Sequence, residues 1–73
     1  METNRLKQFC VIVETGSLSK AAELLGITHG GLSKSMSVLQ SDLGYELFRA
    51  HGRGLITTDK GRRIYQNARE ILE

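Results

Sequence analysis

Thr28, His29, Gly30, Ser33, Lys34 and Ser37 combine polar chemistry with regular spacing in this 73-residue chain. Successive helical residues advance by about 100°, which puts Gly30, Ser33, Lys34, Ser37 and Ser41 on one arc, with no acidic residue before Asp42. Ordinary exposed helices favour Glu, Lys and Arg, and serine is a mediocre helix former. Short hydroxyls suit close approach to another polar surface. The alternative is a solvated face of indifferent composition. Either way, the chemistry these residues can do is hydrogen-bonded recognition, not bond making.

Catalysis and metal binding find no support. No arrangement of nucleophile, base and oxyanion donors can be assembled. His29 and His51 have no second His, Cys or paired acid at ligand spacing, so no metal and no cofactor is expected. The single cysteine, Cys10, excludes an intramolecular disulfide and points to a reducing compartment, by default the cytoplasm. It falls in an apolar helical stripe, where a small buried thiol serves packing. No apolar run approaches the ~20 residues that span a bilayer, and Met1 leads into polar residues rather than a signal segment.

The formal net charge of +2 hides a block. Residues 1–48 sum to −1, whereas residues 49–63 carry Arg49, Arg53, Lys60, Arg62 and Arg63 against Asp59 alone and sum to +4. Such a block attracts a polyanion, or else forms a solvated basic surface.

The elements that must position these groups are short helices around one small core, because so short a chain can bury only one. A first helix is expected from about Asn4 to Thr15, with Leu6, Phe9, Cys10 and Val13 on one face, Ile12 widening it, and Gly16 as left-handed cap. A second starts after Ser17 and Leu18 with Ser19 as N-cap, carries Ala21, Ala22, Leu24 and Leu25, and exits at Gly26. Ile27 is expected to drop into the core and Thr28 to cap the third helix, whose core stripe is Leu32, Met36, Leu39 and Leu43. After Gly44 the helical period lapses. "YELFRAHGRGLITTDKG" reads as a β-hairpin presenting His51 and Arg53 at its tip. Thr58 or Asp59 then caps a last helix from about Lys60 to Glu73, with Ile64, Ala68, Ile71 and Leu72 at helical spacing.

The order is helix, helix, tight turn, helix, hairpin, helix, and Ala22, Leu25, Gly26, Ile27 and Leu32 have the spacing of a helix-turn-helix over about residues 18–37. A recognition helix must protrude, be held from behind by an apolar stripe, and offer a free N-terminus to phosphates and base edges. The third helix meets all three conditions. The fold class expected is therefore mainly α with a small β-hairpin, a winged helix-turn-helix in which Arg49, His51 and Arg53 grip a nucleic-acid backbone.

The stretches "LKQFCVIVETGSLSKAAELLGIT" and "LSKSMSVLQSDLG", with "LF" at Leu47 and Phe48, "GR" at Gly52 and Arg53, and "TDKG" at Thr58 to Gly61, resemble the LysR-type transcriptional regulators over essentially the whole chain. The resemblance implies a winged helix-turn-helix over residues 1–59 that binds double-stranded DNA. Residues 60–73 would then begin a linker helix that pairs two subunits into a homodimer or higher homo-oligomer. It also implies a separate C-terminal effector domain, so that the chain would be a fragment or truncated form answering a small molecule only through that missing part.

By position, Thr28 and His29 would meet phosphate or the first base edge. Ser33 and Ser37 would hydrogen-bond in the major groove, Lys34 would read guanine, and Arg49 and Arg53 would contact backbone or minor groove. The family usually has Gln-Pro-Ala where His29, Gly30 and Gly31 stand, and arginine where Ala50 stands. Two glycines loosen a helix by ~1 kcal/mol each, less near an end. Either they let the helix start approach phosphates closely, or they leave it partly disordered until DNA orders it; the second is preferred, since a sequence shows no ligand contact. Two further classes are a protein-interaction module, which calls for acidic or apolar residues on the third helix's free face, and the targeting arm of a recombinase or transposase, which calls for a catalytic domain elsewhere.

Overall fold

The computed structural model describes residues 3–52 and 54–72. Its elements run α1 (Thr3–Thr15), α2 (Leu18–Leu25), α3 (His29–Leu43), β1 (Phe48–His51), β2 (Gly54–Thr57) and α4 (Asp59–Leu72). This is the expected mainly α architecture with one hairpin, and each expected helix starts or stops within two residues of its place.

Apolar periodicity builds the core. Phe9 and Ile12 of α1, Ala21 and Ala22 of α2, Leu32, Met36 and Leu39 of α3, and Leu47 before β1 form one buried cluster. Ile12, not Val13, is the fully buried partner of Phe9, and Leu6 and Val13 are half-buried at the stripe's edges. Small Ala21 and Ala22 let α2 lie close against its neighbours, since neither carries bulk into the gap. Phe48 joins the hairpin to this core by stacking on Phe9, with ring centroids 6.3 Å apart. Cys10 packs beside them. Burial pushes its thiol pKa up, Glu14 adds to that, and Arg69 opposes it.

The turn between α2 and α3 closes through backbone geometry. Gly26 takes φ 70°, its N–H donates to the Glu23 carbonyl, and the Ile27 N–H donates to the Ala22 carbonyl, a Schellman closure. Thr28 then caps α3, its hydroxyl accepting from the Gly31 N–H at 2.9 Å.

Two local expectations are corrected. Ser17, not Ser19, caps α2: its backbone is extended and its hydroxyl accepts from the Lys20 N–H at 3.2 Å, while Ser19 already lies inside the helix. Ile27 does not drop into the core but is 37% exposed, because the Schellman closure turns the chain outward there.

The hairpin pairs Phe48 with Thr57 through His51 with Gly54. Gly52 opens its two-residue loop with φ 60°. The other loop residue, Arg53, lies outside the described residues, and so does the contact expected of it. On the hairpin's far side Thr58 caps α4: its hydroxyl accepts from Gly61 N–H at 3.0 Å and donates to the Glu46 carbonyl at 2.8 Å. Leu47 is held from both directions, its N–H donating to Gln40 Oε1 at 2.8 Å and its carbonyl accepting from Thr58 N–H at 3.0 Å. Gly61 sits on that carbonyl. A Cβ there would lie 2.0 Å from Leu47 O, so α4 can start where it does only because residue 61 has no side chain.

α4 packs on α1. Ala68 is buried, Ile64 is half-buried, and the Tyr65 hydroxyl donates to Glu14 Oε2 at 2.8 Å, with Arg69 reaching the same carboxylate at 3.4 Å. Ile71 points outward, 73% exposed. The Leu72 side chain expected beside it, and Glu73, lie outside the described residues.

Candidate nucleic-acid interface

The exposed arc of α3 is as the spacing requires. Leu32, Met36 and Leu39 face inward and are almost fully buried, while His29, Gly30, Ser33, Lys34, Ser37 and Ser41 are all exposed. The helix is thus gripped from behind and free in front. Gly30 and Gly31 both lie within its first turn in helical geometry, not outside it.

The hairpin adds a second wall. Alternation along its strands sends Ala50 and Leu55, which pair across it, toward the helices. With Ser17, Leu18, Ser19, His29, Gly52 and Gly54 they line an open crevice of about 220 Å³ between the start of α2, the start of α3 and the wing. Gly54 allows this approach, since a Cβ there would come 3.2 Å from the Gly16 carbonyl oxygen. His29, at the start of the exposed arc of α3, therefore shares one surface with Ala50, Gly52 and Gly54 of the hairpin, whereas alternation puts His51 on the hairpin's other face, with Arg49. Ser17 and Ser19 also line this surface; from sequence Ser19 is expected only as a helix cap and Ser17 has no assigned role. The signal was present in the two serines at the start of α2, but which wall they face depends on the wing.

Arg49 is not brought to that crevice. It pairs with Ile56 on the opposite face of the hairpin and makes an ion pair with Glu46 at 3.5 Å. That face and the first turn of α4 enclose a second hollow of about 560 Å³, lined among others by Tyr45, Thr58, Lys60 and Arg62. Here the basic block is locally engaged. Arg62 pairs with Asp59 and donates to the Thr57 carbonyl at 3.0 Å, and the Lys60 ammonium stands 4.7 Å from the centre of the Tyr45 ring. Exposed pairs of this kind are screened and hold their partners loosely, so the cations stay available to a stronger anion. Among the described residues, Arg49, Lys60 and Arg62 of the basic block thus gather around one hollow at the base of the wing. Among the described residues no group of three or more His, Cys, Asp or Glu could hold a metal ion, and no helix is long and apolar enough to cross a membrane.

Known proteins share this arrangement. The chain is 42% identical to the nitrogen assimilation regulatory protein nac of Escherichia coli K12 and 43% identical to the HTH-type transcriptional regulator TrpI of Pseudomonas aeruginosa. Those matches cover 99% and 96% of this chain, and in each case 24% of the relative. The chain thus spans about a quarter of the length of these curated relatives. Among solved structures, the CbnR DNA-binding domain in complex with DNA superposes with TM-score 0.94 at 33% identity, covering 99% of this chain and 83% of that one. The BenM DNA-binding domain bound to the catB site 1 DNA superposes with TM-score 0.93 at 36% identity, covering 99% and 77%. The family model for bacterial regulatory helix-turn-helix proteins of the lysR family matches residues 3–62. The chain is a winged helix-turn-helix and belongs to the LysR family of bacterial regulatory helix-turn-helix proteins.

Proposed function

We propose that this chain binds double-stranded DNA sequence-selectively and serves as the DNA-binding portion of a transcriptional regulator acting in the cytoplasm. The observation that carries this reading is the free face of α3, held from behind by Leu32, Met36 and Leu39 and flanked by the wing across the crevice at His29. Ser33, Lys34 and Ser37 supply short donors and acceptors for base edges in a major groove, with Lys34 the guanine reader. Thr28, His29 and Gly30 meet phosphate or the first base edge, and His51 and Arg53 meet backbone beside it. Arg49, on the other face of the hairpin, serves a flanking phosphate together with Lys60. An interaction module would want acidic or apolar groups on that face, and the exposed arc from Gly30 to Ser41 carries neither.

α4 belongs to the same reading. We assign residues 60–73 to the start of a helix that pairs two copies, because Ile71 stands 73% exposed on a helix whose Ala68 is already buried against its own domain. Two domains so joined would offer α3 to successive major grooves about 34 Å apart.

A salt titration of binding to a duplex pool tests the reading. Several phosphate contacts make affinity fall steeply with salt, and selection from random sequence should return an imperfect inverted repeat. A flat salt response, or no enrichment, overturns it.

A further inference from the structure

Eight glycines occur in the chain, and the structure explains seven from within. Four take positive φ, where a side chain is strained: Gly16, Gly26, Gly44 and Gly52. Gly61 lacks room for a Cβ, which would come 2.0 Å from Leu47 O, and Gly54 and Gly31 are tight, with a Cβ 3.2 Å from Gly16 O and 2.9 Å from the Thr28 hydroxyl. Gly30 has neither reason. It is helical, exposed and outside the positive-φ region, and a Cβ there would meet nothing within 4 Å. A glycine in such a place gives up helix stability relative to alanine. Nothing inside the protein requires that loss.

Gly30 is one helical turn before Ser33 and Lys34 and two before Ser37, on the same exposed arc, next to the residue that borders the crevice with the wing. We infer that Gly30 is a specificity-determining residue for duplex DNA: its bare backbone seats against a groove wall at a distance that a side chain would block. The inference rests on the DNA-binding reading above and deepens it. The missing Cβ sets how deeply the first turn of α3 enters, and therefore which bases Ser33, Lys34 and Ser37 reach. A residue with that duty separates stability from binding, whereas a merely structural one moves both together.

Gly30→Ala in the same chain tests it, with duplexes selected from a random pool by the unsubstituted protein as probe. The melting temperature should rise by about 2–4 °C, while affinity for the selected duplexes falls about ten- to hundredfold. Duplexes selected by the variant should also differ in sequence. Unchanged affinity overturns the inference and leaves the DNA-binding reading standing. A lower melting temperature overturns it too, because the fold would then have its own need for glycine at 30. Failure of the unsubstituted chain to select any duplex removes both.

Discussion

Replacing Gly61 with alanine should destabilise this protein, because among its glycines a Cβ there would meet the tightest contacts. The new Cβ would sit 2.0 Å from Leu47 O, 2.9 Å from Leu47 C and 2.8 Å from Thr57 Cγ2, where contacts under 3.0 Å force something to shift. Leu47 cannot give way easily, with its side chain wholly buried and its backbone bonded to Gln40 and Thr58. The start of α4 must therefore move by about 1 Å or more to restore a normal contact. That strain costs ~1–3 kcal/mol. Displacing α4 also weakens the Thr58 cap on the Gly61 N–H, worth ~0.5–2 kcal/mol. Alanine's helix propensity returns at most ~1 kcal/mol. The net loss is about 0.5–5 kcal/mol, centred at about 2–3 kcal/mol, a large share of what so small a domain has, and the melting temperature should drop by roughly 10–20 °C. Thermal unfolding followed by circular dichroism measures it, with Gly30→Ala, the same chemical change in open space, as control. A Gly61→Ala variant that melts at or above the parent temperature would refute the close approach of α4 to Leu47.

Other outcomes follow from the same geometry. Lys34→Ala should erase discrimination between selected and random duplexes, a loss of ~1–3 kcal/mol, whereas Arg53→Ala should weaken all duplexes alike and lower the salt slope; identical loss patterns in parallel titrations would contradict this division. Tyr65→Phe removes the hydroxyl that donates to Glu14 and should cost ~0.5–1.5 kcal/mol in urea unfolding, with no change at all counting against the α1–α4 link. Because burial raises the Cys10 thiol pKa, the folded state favours the neutral thiol. That contribution is complete at neutral pH and is lost as pH rises past roughly 8.5, where the unfolded thiol ionises first. Relative to Cys10→Ala, the parent should therefore lose stability between neutral and alkaline pH, and a relative gain would show the sign to be wrong.

Local rules made the helix-turn-helix legible. The 3.6-residue period marks the buried stripe of α3, and Thr28 caps by a hydroxyl whose partner is three residues away. Where two residues could play one local part, sequence was insufficient. Ser17 and Ser19 are equally good caps in isolation, and what decides for Ser17 is the extended backbone that follows Gly16. Ile27 misled because apolar character says nothing about the direction in which a turn projects it. Contacts between distant segments were invisible altogether. The clash that keeps Gly61 bare lies with Leu47, and Glu14 meets Tyr65 from 51 residues away. Strand alternation shows the converse, since Arg49 and Ala50, neighbours in sequence, line different hollows.

If the free face of α3 and the adjoining wing together form a DNA-binding surface, amide chemical-shift mapping during titration with a selected duplex will trace it. The largest shifts should run from Ser17 to Ser19, from Thr28 to Ser37 and from Ala50 to Gly54, with little change along the α1–α4 contact at Glu14 and Tyr65. Shifts centred on that contact or on exposed Leu24 of α2, with Ser33, Lys34 and Ser37 unmoved, would contradict it.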